Sequence, residues 1–176
     1  PGTPAGTYTI TYKICEKLNP ANCATSSVTV VVDAAPIAAG ADSLAPVNGK
    51  AGGTDVIDVF ANDTLNGAPV TLSSISASVT APATPINGGP VPLLDPATGL
   101  VDVPAGTPAG SYTIAYEICE TLNPSNCAAS SVTIVVTAAP IAAGAGTPAS
   151  VKGGSGWPSV TNAFANDTLN GAPLVI

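Results

Sequence analysis

The 176 residues carry eleven acidic side chains against four basic ones, with no histidine and a net charge of −7. So few cations leave nothing to neutralise phosphates or to hold an anionic membrane surface, which argues against nucleic acid and membranes as partners. Without histidine, no side chain titrates near neutrality unaided, which argues against acid–base chemistry. No apolar run reaches the ~18 residues of a bilayer-spanning helix. Charged residues make up only 9% of the chain, against about 25% in an average soluble domain. Gly and Pro number 18 each, a composition of short strands and tight turns rather than helices.

The chain repeats itself at an offset of 104 residues without a gap: residues 1–72 return as 105–176, with 47 of 72 positions identical. That period is too long for a solenoid unit and suits one small β domain. One complete copy runs over residues 37–140. Residues 1–36 are the C-terminal part of a preceding copy, and residues 141–176 the N-terminal part of a following one. The chain contains no Met. The expectation is either a longer natural polypeptide or partial ends that meet between subunits, although the two ends together lack a counterpart of residues 73–104.

In chain order, the first fragment predicts a strand over 7–14, a loop between Cys15 and Cys23, and a strand over 26–32. The linker AAPIAAG (34–40, and again 138–144) is short and Pro-bearing, hence semi-rigid. Shorter strands are predicted over 56–60, 70–78, 91–94 and 100–103, separated by Gly52-Gly53, Asn66-Gly67, Asn87-Gly88-Gly89 and residues 96–99. Tyr112, Ile114, Tyr116 and Ile118 then alternate with Thr113, Ala115 and Glu117, the period of a strand with one buried face. Residues 130–136 are its partner, so the pair forms a long hairpin closed near its tip. Seven or so short strands in about 100 residues point to tandem all-β, immunoglobulin-like sandwiches forming a stiff rod or fibre.

The four cysteines form matched pairs, Cys15 with Cys23 and Cys119 with Cys127, at identical spacing. One local disulfide per domain is expected, and with it an exported protein in an oxidising place. The alternative is a reduced buried pair. Zinc is disfavoured because two thiolates without histidine leave its tetrahedral shell half empty. Catalysis has little to work with. The hydroxyls have no ready base, and the copies disagree at several acids: Asp33 becomes Thr137, Asp42 becomes Gly146 and Asp55 becomes Ser159. Calcium is the stronger candidate, with Asp42, Asp55, Asp58 and Asp63, joined by Asn62 and Asn66, as hard oxygen donors near a domain junction. No EF-hand spacing is present, and the competing reading is that Asn62 and Asp63 cap a turn. Asn62-Asp63-Thr64 and Asn166-Asp167-Thr168 also match the N-glycosylation pattern. Trp157 stands where the complete copy has Gly53 and is read as local packing.

The segment PAGTYTITYKICEKLNPANCATSSVTVVV, followed by APIAAGADS and DVFANDTLNGAPVTL, resembles repeats of very large surface adhesins of Bacteroidetes, proteins often carrying gliding-motility-associated C-terminal domains. The resemblance covers nearly the whole chain. It implies type IX secretion, anchoring at the outer cell surface, and adhesion or gliding as the output. It also gives meaning to three Asp-Ser/Thr-Leu triplets, which mark Ser43, Thr64 and Thr168 as O-glycosylation candidates. Where related repeats read A-N-D-D after the linker, this chain has AAGADS and AAGAGT, which weakens an acidic calcium cluster there. Two functions are open: a structural spacer giving length and stiffness, or a repeated weak carbohydrate- or surface-binding module acting by avidity. A third, a filament subunit completed by strand addition between neighbours, follows from the partial ends.

Overall fold

A computed structural model describes residues 2–148, 150, 153–154 and 162–175. Among these there is no helix. Strands β1 (Gly6–Cys15) and β2 (Cys23–Val32) form an antiparallel hairpin by themselves. Short strands follow: β3 (Ile37–Ala38), β4 (Asp42–Ser43), β5 (Val47–Asn48), β6 (Gly53–Asp58), β7 (Thr64–Leu65) and β8 (Ala68–Pro69). Beyond them come β9 (Ile75–Ala81), β10 (Leu93–Leu94), β11 (Leu100–Val103), β12 (Gly110–Glu120) and β13 (Cys127–Thr137). The last described strands are β14 (Ile141–Ala142), β15 (Thr168–Leu169) and β16 (Ala172–Pro173).

Two sheets build the complete repeat. One has the order β10-β11-β6. The other has the order β4-β13-β12-β9, with β4 and β5 both running parallel to β13. They close on one hydrophobic core, the arrangement of a β-sandwich. The alternation read from the sequence sets its inner face: Tyr112, Ile114, Tyr116 and Ile118 on β12 and Val132, Ile134 and Val136 on β13 are all buried. Val101, Val103 and Leu94 meet them from the opposite sheet, and Phe60 sets its ring edge-on to Tyr116 at 6.1 Å. Burying each such aliphatic side chain stabilises the fold by roughly 1.5–3 kcal/mol relative to exposure.

Three of the shorter predicted strands change bounds, and the one expected over 91–94 keeps only Leu93–Leu94. The strand expected over 70–78 begins only at Ile75, because Thr71 N–H donates to Ser74 Oγ (3.0 Å) and Ser74 N–H to Thr71 O (2.8 Å), which folds that stretch into a turn. The strand expected over 56–60 starts earlier, at Gly53, and ends at Asp58, whose Oδ1 accepts Phe60 N–H (2.9 Å) and turns the chain. Within β6, Asp55 has φ +50° and donates its N–H to Asp102 Oδ1 (2.8 Å), where the pairing of β11 with β6 shifts register.

The β1–β2 hairpin repeats β12–β13 residue for residue in register, from Gly6↔Val32 to Cys15↔Cys23 against Gly110↔Val136 to Cys119↔Cys127. Even the closure at its base recurs: Tyr8 donates to Pro4 O and Tyr112 to Pro108 O, both at 2.8 Å. No described residue covers the equivalent apolar face, however, and Ile10 is 56% exposed where Ile114 is 1% exposed. The same residue type therefore stands in two environments of one chain. Ile114→Ala is expected to cost about 2–5 kcal/mol and Ile10→Ala within about 0.5 kcal/mol, measured by urea unfolding of the two single variants.

Candidate functional site

The junction between repeats is built by a short device that occurs twice. In FANDTLNGAP, Asn66 (φ +54°) and Gly67 (φ +75°) form a two-residue turn of the kind that needs positive φ at both positions. The turn pairs β7 with β8, and β7 then pairs with linker strand β3, giving the order β3-β7-β8. Side chains lock it. Asp63 Oδ1 accepts Gly40 N–H (2.7 Å) and Asn62 Nδ2 donates to Ala41 O (3.1 Å). Asn66 N–H reaches back to Pro36 O at 2.7 Å. In the next copy Asp167 accepts Gly144 N–H (2.8 Å), Asn166 donates to Ala145 O (2.7 Å) and Asn170 N–H bonds Pro140 O (2.7 Å). A Cβ at Gly40 would strike the Asn62 side chain at 2.7 Å, and one at Gly144 would strike both the side chain and the backbone carbonyl of Asn166, so glycine leaves room for the asparagine bond. Asn62 and Asp63 thus bond backbone groups of the linker, 21 and 23 residues away in sequence, rather than only capping their own turn.

Beside this device lies a buried polar group. The Tyr116 hydroxyl has one proton, and three acceptors surround it: Asp42 Oδ2 at 2.9 Å, Val59 O at 3.1 Å and Gly40 O at 3.4 Å. Burial, then the hydrogen bond to Asp42 and the nearby carboxylates, pushes the phenol well above its ordinary pKa, so it stays a donor. Burial also raises Asp42 and Asp63, with the charges of neighbouring aspartates adding to it. Asp63 has no exposed surface, and its Oδ2 has no hydrogen-bond partner. Among the described residues that orphan oxygen is the one feature that suits a cation.

The rest of the donor set does not gather around it. Asp42 Oδ2 is engaged by Tyr116, Asp58 Oδ1 by Phe60 N–H and Asp63 Oδ1 by Gly40 N–H. Asp55 sits on β6 against Asp102, and Asn66 forms the turn. This is one free buried oxygen, not the roughly six to eight converging oxygens of a calcium site. Among the described residues, the one trio with ligand atoms in mutual reach is Glu117, Cys119 and Cys127, and its two sulfurs are bonded to each other.

Both cysteine pairs are bridged, Cys15–Cys23 and Cys119–Cys127, which suits an oxidising environment. Each joins directly opposed residues at the end of its hairpin. Of the glycosylation candidates, Ser43 is exposed on β4, whereas Thr64 and Thr168 are half-buried in the middle strand of their three-stranded sheets. Trp157 lies outside the described residues. No described helix is long and apolar enough to cross a membrane.

Sequence reasoning places Tyr116 in the core through its alternation and misses what its hydroxyl does. The signal lies in the linker: Gly40 and Asp42, which meet that hydroxyl, are 76 and 74 residues away in sequence. No protein-family model and no curated protein matches the chain.

Because its folded pKa is raised, Asp63 contributes stability that is complete below the ordinary aspartate value and lost as pH rises through the raised one. Asp63→Asn keeps the oxygen that caps Gly40 and removes the buried charge. Urea unfolding should show it gaining about 1 kcal/mol at pH 7, with less gain near pH 4, while Asp63→Ala loses about 1–3 kcal/mol. A loss on Asp63→Asn that chelation reproduces in the wild type would instead assign a cation to this site.

Proposed function

We propose that the chain is a structural repeat of an exported cell-surface stalk or fibre, giving length and stiffness to an adhesin, and that it is not an enzyme. The observation that carries this reading is the duplicated junction. The same caps, turn and linker strand form at residues 37–69 and again at 141–173, with matching bonds to Pro36 and Pro140. A specific binding site rarely needs duplicating, whereas a joint that sets the direction of one repeat on the next must be made at every step.

In this reading each repeat is an immunoglobulin-like sandwich. Two features support it: the three-stranded sheet facing one with a parallel edge strand, and the Tyr112 hydroxyl returning to a carbonyl four residues upstream. The disulfide departs from that pattern, since it joins neighbouring strands of one sheet instead of crossing the core. The disulfides and the resemblance of PAGTYTITYKICEKLNPANCATSSVTVVV to Bacteroidetes adhesin repeats support placement at the outer cell surface, with type IX export and gliding or adhesion as the output. Glycans at Ser43 would hydrate a surface poor in charge; Thr64 and Thr168 are secondary candidates. The avidity alternative has less support, because the recurring tyrosines Tyr112 and Tyr116 are buried in the complete repeat. The partners expected are neighbouring repeats, or identical subunits in a fibre, with environmental polysaccharide at a distal tip.

Polypeptides carrying one, two and four copies of residues 37–140 in tandem test the reading by small-angle scattering. With 11-residue strands along each repeat, the maximum dimension should grow by about 36 Å per copy, at about 3.3 Å per residue. Growth as the cube root of mass, the signature of compaction, would contradict it.

A further inference from the structure

The tip of the β12–β13 hairpin is ordered well beyond what its disulfide requires. Glu120 N–H bonds Asn126 O (2.9 Å), Asn126 N–H bonds Asn123 O (2.8 Å), and Asn126 Nδ2 donates to Glu120 Oε2 (2.8 Å). Thr121 N–H holds the loop to Ser74 O at 2.9 Å. Glu120 is only 5% exposed, unusual for a carboxylate. The Asn123 and Asn126 amides, with a smaller contribution from Ala35 N–H, hold it below the usual carboxylate range.

That loop meets the end of the preceding partial repeat. Asn126 Nδ2 also donates to Ala35 O in the linker (2.7 Å), and Asn123 Oδ1 accepts Ala5 N–H (2.6 Å) just before β1. Two side chains of one repeat thus hydrogen-bond two backbone groups of another, Ala5 N–H and Ala35 C=O, and the Glu120 carboxylate faces the Ala35 N–H. We propose that the disulfide-closed loop, residues 120–126, is a receptor for the C-terminal end of another repeat of the same kind. It recognises that partner through backbone groups, so small differences among repeats do not affect it.

The chain carries a second copy of both halves. Glu16, Asn19 and Asn22 occupy the same places inside the Cys15–Cys23 loop, with Asn19 Nδ2 (2.6 Å) and Asn22 Nδ2 (2.9 Å) folded onto the Glu16 carboxylate. Pro108-Ala109-Gly110 and Ala138-Ala139-Pro140 repeat the docking groups unchanged. Glu16, with no described residue of another repeat set against its loop, is exposed where Glu120 is buried. The first loop therefore shows the receptor open and the second shows it filled. Two hydrogen bonds are too few to hold separate chains together, so the short linker, which keeps the partner at high effective concentration, is part of the recognition. The inference gives the stalk reading its joint, and it can fail while tandem copies still lengthen as that reading requires.

Amide hydrogen exchange on the whole 176-residue chain tests it. The Ala5 and Ala35 amides report the joint, the Glu120 and Asn126 amides report the loop, and Ile114 and Val132 report the core. In an Asn123→Ala, Asn126→Ala double variant, exchange at Ala5 and Ala35 should be at least about tenfold faster with the core unchanged. The matched Asn19→Ala, Asn22→Ala variant should leave Ala5 and Ala35 at their wild-type rates. Unprotected Ala5 and Ala35 in the wild type, or no change in the double variant, would overturn the proposal. Should the double variant also open its loop, Ala5→Pro decides, since it deletes one donor from the other side of the joint. It should speed exchange at Ala35 with the loop amides intact, and an unchanged Ala35 would count against the joint.

Discussion

One face of the β12–β13 hairpin organises the complete repeat. Seven side chains on that face are each at most 3% exposed, and the remaining strands of residues 37–103 are arranged to cover them. With so few aromatic residues, 4% of the chain, the core is thin and depends on registry more than on bulk. A one-residue slip would turn the tyrosines and isoleucines outward. The disulfide at directly opposed positions, Cys119 and Cys127, fixes that registry at one end, and the Tyr112 hydroxyl on Pro108 O fixes the other.

The hairpin also links the core to the junction. Tyr116 is central to the apolar face, yet its hydroxyl is set among Gly40 O, Asp42 and Val59 O, at the point where the linker enters the repeat. Ser130, on the partner strand, donates to the same Gly40 carbonyl. The linker is therefore held from the hairpin side by hydroxyls and from the other side by Asp63 and Asn62. A chain whose surface is poor in charge sets its joints with side-chain hydrogen bonds to backbone groups, several of them accepted by carboxylates.

Much of this was legible in the sequence, because the deciding signals are local. Strict alternation over residues 112–118 gives the strand and its buried face, equal spacing of the cysteines gives the loops, and Asn66-Gly67 gives the turn. What lay hidden depends on partners distant in the chain. The parallel pairing of β4 and β5 with β13 brings residues 42–48 against 132–137, and nothing in a two-residue strand announces it. Asp42, Asp55, Asp58 and Asp63 look like one acidic group in sequence. Folding commits them to separate partners: β6 carries Asp55 to Asp102, Asp42 takes the Tyr116 hydroxyl, Asp58 takes Phe60 N–H and Asp63 takes Gly40 N–H. Asn123 and Asn126 read as turn residues, and their second role appears only when Ala5 and Ala35 are brought beside them.

The central claim is that these repeats exist to make length. The most direct measurement is the mass of the native polypeptide, reduced and denatured, recovered from the cell envelope. A stalk of tandem repeats predicts a mass many times the 16.9 kDa of this chain. A native mass close to 16.9 kDa would contradict it, and would leave the apolar face of β1–β2 to be covered by a neighbouring subunit.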